Sequence, residues 1–347
     1  MTRILVTGGL GFIGAHLAER LLEDRDSHVT IVDDLSGAVL APDELLVEIQ
    51  GNRPGHLEAY LQPIESFRTS ERFETIYHLA SIVGPAAVLK RSGLITQAIV
   101  RSTYHVLELA MQSGARLVNV STSETYGGGL NGYCREDTPR VIRGRATARQ
   151  EYAAAKLAVE VSVENLSAFG ELDAVTVRPF NVSGPRQSGR GGFVLPRFIG
   201  QAILGQPLTV FGDGNQVRAF TDARDVVTGL ILCAECGRRG TAYNVGNPHN
   251  RVSIDQLADQ ILAVTGSLAG KEYVDPKTIY GAAYAEAADK YPDATRVMEL
   301  GWNPAYRLVD TIRDTFQYMR RLPKHTLAEV AGVQSDRRLS SEAIAVA

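Results

Sequence analysis

The stretch RILVTGGLGFIGAHL, residues 3–17, constrains this chain more than any other. An aliphatic run ends in a glycine-rich turn, and the apolar spacing beyond the turn is helical. Gly8, Gly11 and Gly14 recur at every third position. Glycine there lets the backbone turn tightly and approach a pyrophosphate, which then faces the unpaired amides of a helix N-terminus. About 20 residues on, where such a site requires an acid, the run HVTIVDD ends in Asp33. Its carboxylate suits the ribose hydroxyls of an adenosine and repels a 2′-phosphate. The following residues, VDDLSGA, supply no arginine to receive one. The unit therefore predicts NAD as cofactor, not NADP.

The same alternation continues. RILVTGG, HVTIVDD, TIYHLAS, RLVNVST and AVTVRPF read as buried strands. Between them, FIGAHLAERLLED, ITQAIVRSTYHVLELAMQSG and EYAAAKLAVEVSVENLSAFG read as helices. Strands alternating with helices imply right-handed crossovers and a parallel sheet covered on both faces. The expected fold is α/β, a doubly wound parallel sheet of Rossmann type with a smaller C-terminal substrate-binding lobe. Residues 1–180 and about 219–245 are assigned to the NAD-binding part, and 181–218 with about 246–321 to the smaller lobe. Within that lobe Ser253 reads as a helix N-cap. Residues 322–347 are polar and expected to be a peripheral tail.

A net charge of −3 implies no general attraction to nucleic acid or acidic membrane. No apolar run approaches a membrane span, and the start MTRILVTGG reads as no signal peptide, so a cytoplasmic enzyme is expected. Of the three cysteines, Cys134, Cys233 and Cys236, the last two form a lone C-x-x-C in a helix-like stretch. Without a second pair it reads as a helical thiol pair, and no metal site is expected.

The segment VNVSTSETYGG places Thr122, Ser123 and Glu124 where the fourth of those strands runs out. EYAAAKLAVE carries Tyr152 and Lys156 four apart, on one helix face. Taken with the glycine turn and Asp33, this combination resembles the short-chain dehydrogenase/reductase superfamily, in its extended branch that modifies nucleotide-activated sugars. The resemblance spans about residues 3 to 320. It implies that Tyr152 takes the proton of a sugar hydroxyl while hydride leaves for NAD. A free tyrosine, with a pKa of about 10, is a poor base at neutral pH. The Lys156 ammonium and the nicotinamide charge are expected to stabilise its phenolate, and Thr122 to hold the sugar oxygen. Phe12, Ile13, Leu79 and Ala80 are expected beside the cofactor.

A ketone at C4 acidifies C5–H and weakens the bond from C5 to a carboxylate. Ser123 and Glu124 stand where a second step at C5 or C6 needs an acid or base, so Glu124 favours chemistry beyond epimerisation. STSE-YG, RPFNVSGPR, QPLTVFGDGNQVRAFTDARDVV and YNVGNPHNRVSIDQLA resemble segments of UDP-glucuronate decarboxylases. The resemblance implies Asn181 at the substrate diphosphate, Val210 beside the nucleotide base, Arg218 on phosphate and Lys290 at the sugar. It also implies a homodimer. Departures from that pattern are Val88 for a tyrosine, Ile99 for an asparagine or aspartate, Lys290 for an arginine and Pro63 for an aspartate. The leading expectation is an NAD-dependent UDP-hexuronate decarboxylase. A 4,6- or 5,6-dehydratase, a 4-epimerase and a non-catalytic NAD sensor stand as alternatives.

Overall fold

Aliphatic runs too short to be helices pair side by side, and the amphipathic stretches between them cover the result. A computed structural model describes residues 1–38, 40–127, 132–142, 147–281 and 289–331. From β1 (Thr2–Thr7) the chain passes through α1 (Phe12–Leu21), β2 (Ser27–Asp33) and α2 (Pro42–Gln50) to β3 (His56–Leu61). It then returns past its start to β4 (Thr75–His78), α3 (Pro85–Lys90), α4 (Ile95–Ser113) and β5 (Arg116–Val120). The pair β6 (Tyr133–Cys134) and α5 (Ala148–Ala168) leads to β7 (Asp173–Pro179).

Beyond β7 come β8 (Val182–Ser183), α6 (Val194–Ile203), β9 (Leu208–Phe211), β10 (Val217–Ala219) and β11 (Thr221–Asp222). These lead into α7 (Ala223–Cys236) and β12 (Ala242–Val245). The order continues with β13 (Arg251–Ser253), α8 (Ile254–Thr265), β14 (Lys271–Val274) and α9 (Lys277–Tyr280). It closes with β15 (Tyr291–Pro292), α10 (Thr295–Met298), α11 (Leu308–Met319) and α12 (Lys324–Val330).

Seven strands form one sheet in the order β12-β7-β5-β4-β1-β2-β3, every neighbouring pair parallel. This is the doubly wound fold expected from the sequence. Alternate side chains supply its two faces. Val6, Ile31, Val118 and Val175 pack under α1 and α7. Leu5, Ile76, Leu117 and Ala174 pack under α4 and α5. Strand order reverses between β1 and β4, where ligands of such sheets bind at the strands' C-terminal ends.

A second core joins Leu195, Phe198, Val210, Leu257, Ile261, Leu308 and Ile312 from α6, β9, α8 and α11. There Ser253 caps α8 in a reciprocal capping box with Gln256. Strand β3 escaped prediction because its HLEAYL is a half-exposed edge with no continuous aliphatic run. The stretch 246–321 also divides. Ala294, Val297 and Trp302 return to the core of the large sheet, while α11 serves the smaller lobe. The first part of the supposed tail is not peripheral. Leu327 is buried in the second core, and Ala331 lies so close to Gly200 that a Cβ on that glycine would overlap it.

Trp302 is 2% exposed and its indole N–H donates to Asp225 O at 2.9 Å. Trp302→Ala should lower stability by about 3–5 kcal/mol. Urea unfolding would show it as a lower midpoint with an unchanged slope.

Candidate active site

Two backbones nearly touch at the sheet's reversal point. Thr7 O accepts from Leu79 N at 3.1 Å and Thr7 Oγ1 from Ala80 N at 3.2 Å. Gly8 therefore lies against Ala80, and a Cβ on it would sit 2.8 Å from Ala80 N. Gly8 also has φ 71°, a left-handed conformation that favours glycine. A Cβ on Gly14 would overlap Gly8 O, so the helix packs directly on the turn. Helix α1 starts after Gly11 with Phe12, Ile13 and Gly14, with no side-chain cap and no acidic residue in its first turn. Its amides and dipole favour an anion.

Asp33 ends β2, its Oδ2 accepting from Leu10 N at 3.0 Å and its Oδ1 from Leu35 N at 2.7 Å. Burial pushes this carboxyl above its usual range against the pull of those amides. Ser81 Oγ and Ser121 Oγ, at the ends of β4 and β5, are buried without a protein partner. A glycine cradle, an uncapped helix start, a ribose acceptor and two unpaired hydroxyls together fit NAD. A small open cleft lies beside the turn, walled partly by Gly11, Gly37 and Arg186. Folding thus brings a guanidinium that VDDLSGA lacks. Glu19 holds Arg186 at 2.8 and 2.9 Å and Glu48 holds it at 3.0 Å, so its charge is already matched.

At the end of β5 the chain turns through Ser123–Tyr126. Thr122 Oγ1 accepts from Glu124 N at 3.2 Å, and the Thr122 side chain lies near enough to Tyr152 to lower that phenol's pKa. Helix α5, started by the Thr147–Gln150 capping box, presents Tyr152 and Lys156. Three predicted residues thus converge, with Ser123 buried beside them.

Burial raises the Tyr152 phenol, Thr122 lowers it only partly, and Glu124 raises it further. Lys156 Nζ donates to Val120 O at 3.0 Å. Burial brings the Lys156 amine down to about 8 against the counter-pull of Glu160. A largely charged lysine remains at neutral pH.

Glu124 meets two cations. Lys290 pairs with its Oε1, and Arg149 Nη1 reaches the same oxygen at 3.0 Å. Burial alone raises this carboxyl, but Lys290 and Arg149 override it and hold it at about 2. Arg149, three residues before Tyr152 on the same helix face, was missed in the sequence; that spacing was its only signal. Arg218 bridges Lys290 through the backbone and pairs with Asp289 at 3.4 Å. Asn181, at φ 37°, donates its side-chain N–H to Ala219 O at 3.1 Å beside Arg218.

Val210 is fully buried in the second core on a strand paired with β14, so it presents no exposed surface to a base. Val88 and Ile99 pack in the core under α4 and α5. Cys233 and Cys236 lie on α7, the first buried, the second exposed, both free. Among the described residues no three His, Cys, Asp or Glu side chains gather as a metal site. Nor is any helix there long and apolar enough to cross a membrane.

A Rossmann sheet, a glycine cradle and a Thr–Tyr–Lys group at the strand ends define a nicotinamide-dependent enzyme of the short-chain dehydrogenase class. The chain belongs to the NAD dependent epimerase/dehydratase family, whose pattern matches residues 4–246. It is 31% identical to the UDP-N-acetyl-alpha-D-glucosaminuronate decarboxylase of Bacillus cytotoxicus over 92% of this chain and 98% of that one. It is 28% identical to UDP-D-apiose/UDP-D-xylose synthase 1 of Arabidopsis thaliana, over 92% and 91% of the two chains. Among solved structures it resembles the UDP-glucuronic acid 4-epimerase of Bacillus cereus in complex with UDP-glucuronic acid and NAD. That match has a TM-score of 0.79 and 25% identity over 93% of this chain and 100% of that one.

A carboxyl held from its ordinary 4.5 down to about 2 adds stability that is complete above pH 4.5 and lost as pH falls toward 2. Wild type should exceed Glu124→Gln by about 2 kcal/mol at neutral pH, allowing for solvent screening. In urea unfolding at stepped pH, the gap should close across that acid window.

Proposed function

We propose that this enzyme oxidises a UDP-hexuronate at C4 and releases its C6 carboxyl as carbon dioxide from the resulting 4-keto sugar. NAD, held by Gly8, Gly11, Gly14 and Asp33, supplies the hydride acceptor. Tyr152 takes the proton from the C4 hydroxyl, and Thr122 holds that oxygen through its own hydroxyl. Lys156, kept charged by Glu160, favours the ionised phenol once the site is filled. The C5–C6 bond then breaks, its electron pair entering the C4 ketone as an enolate, and C5 regains a proton. Asn181 and Arg218 bind the diphosphate, Arg218 as a rigid bidentate donor.

The observation that carries this reading is the Glu124 carboxylate held between Lys290 and Arg149. A dehydratase needs a base at C5, and a carboxyl at about 2 is a weak one. Decarboxylation needs none, because departing carbon dioxide leaves the electron pair behind. A substrate carboxylate beside Glu124 meets cations already shared with a fixed negative charge. Its ground state gains little, and the repulsion falls as carbon dioxide leaves. The identity with a decarboxylase over nearly its whole length supports the same choice.

Incubation with UDP-glucuronate, UDP-N-acetylglucosaminuronate, UDP-glucose and dTDP-glucose, followed by product mass, tests it. Loss of carbon dioxide from a hexuronate is expected. Loss of water would make the protein a dehydratase, and unchanged mass with inverted C4 an epimerase. Tyr152→Phe should cut turnover by about 10²–10⁴ while NAD stays bound. Unchanged turnover would remove the mechanism.

We also assign a homodimer in the cytoplasm. Tyr104 on α4 and Val161 on α5 are 48% and 42% exposed on neighbouring helices, and a second copy of that face would cover them. Free cysteines suit a reducing compartment. Sedimentation velocity should give a dimer for wild type and a monomer for Val161→Asp; a monomeric wild type refutes the dimer.

A further inference from the structure

The reaction centre is assembled from three separate pieces of chain. One is the turn after β5 with Thr122, Ser123 and Glu124. Another is α5 with Tyr152 and Lys156, and the third is the late segment with Lys290. One buried side chain lies where their anchors meet. Arg178, on β7, is 1% exposed. Its Nε donates to both oxygens of Glu160, at 3.0 and 3.1 Å, and its Nη2 to Oε2 at 2.6 Å. Glu160 is fully buried and stands one helical turn beyond Lys156. On its other side Arg178 Nη1 donates to Tyr126 OH at 2.8 Å, and Tyr126 closes the turn that begins after Thr122. Tyr126 OH donates in turn to Asn244 Oδ1 at 2.7 Å. The Asn244 amide then donates to Cys134 O at 2.9 Å and to Asp293 O at 3.2 Å. Asp293 follows β15, directly after Lys290 and paired with the strand that contains Cys134.

We propose that Arg178 is a positioning residue. Its guanidinium clamps the helix of Tyr152 and Lys156 through Glu160, and the turn of Thr122 and Glu124 through Tyr126. Through Asn244 it also sets the segment that carries Lys290. A buried ion pair is poor value as mere stabilisation, because desolvation takes back most of the attraction. A network in which each group has its partner has essentially one low-energy arrangement. That property suits a centre where a displacement of about 1 Å costs roughly a hundredfold in rate. No single helix or strand of the sheet imposes it on all three pieces, whereas this chain of bonds touches each of them. The proposal rests on reading Tyr152, Lys156 and Thr122 as the reaction centre.

The test uses the NAD-loaded full chain. Tyr126→Phe keeps the ring stacked on Phe180 and removes only the hydroxyl that joins Arg178 to Asn244. Arg178→Lys keeps the charge and loses the planar fork. Both should lower kcat at least tenfold with KM within twofold, on whichever sugar of the panel is turned over. Hydrogen exchange should quicken in residues 122–127 and 289–293 and stay unchanged in β1 and β2. Should Arg178→Lys fail to fold, Tyr126→Phe alone decides. Wild-type exchange in those two segments, or a kcat within twofold of wild type, overturns the proposal. So does a general rise in exchange with loss of NAD, which marks plain destabilisation. If wild type turns over no sugar of the panel, the reading of the reaction fails. Exchange in the two segments then upholds or overturns the clamp by itself.

Discussion

The close approach of β1 and β4 at their C-terminal ends sets everything downstream. Thr7 binds the backbone of Leu79 and Ala80, which leaves no space for a side chain at Gly8. The turn must therefore be glycine, and α1 must begin where its unpaired amides face the strand ends. Once that is set, Asp33 falls beside the turn by register with β1. The end of β5 lies next to that of β4 for the same reason. The cofactor cradle and the Thr122 turn are thus neighbours because parallel strands of one sheet end together.

Within the site, burial and partners compete for each charge, and the balance differs by residue. Tyr152 receives burial and only partial relief from Thr122, so its proton is held more tightly than in water. Lys156 is buried too, but Glu160 one turn away preserves most of its charge. Glu124 has two cations on one oxygen, and there pairing wins outright. The pattern separates the two groups: burial dominates at the phenol, and pairing dominates at the carboxylate.

Much of this was legible in the chain itself. The glycine turn, Asp33, all of the sheet's strands but β3, and the three long helices could be read from period and residue type. Those signals are local: a strand alternates over a few residues, and a cofactor turn needs its glycines at fixed spacing. The edge strand β3 was invisible because a half-exposed strand has no aliphatic run to betray it. Arg149 and Arg186 were invisible as site residues for another reason. An arginine reads the same whether it meets solvent or a half-buried carboxylate 25 or 167 positions away.

Spacing in the chain therefore determined the class of fold, the cofactor cradle and the Thr–Tyr–Lys set, since each depends on neighbours within a turn or a strand. Tertiary structure decided that Glu124 is held below its usual range, that Val210 is buried, and that Trp302 returns to the large sheet. Those outcomes depend on groups far apart in sequence whose distance, and hence whose Coulomb and desolvation energies, exist only after the chain has closed on itself.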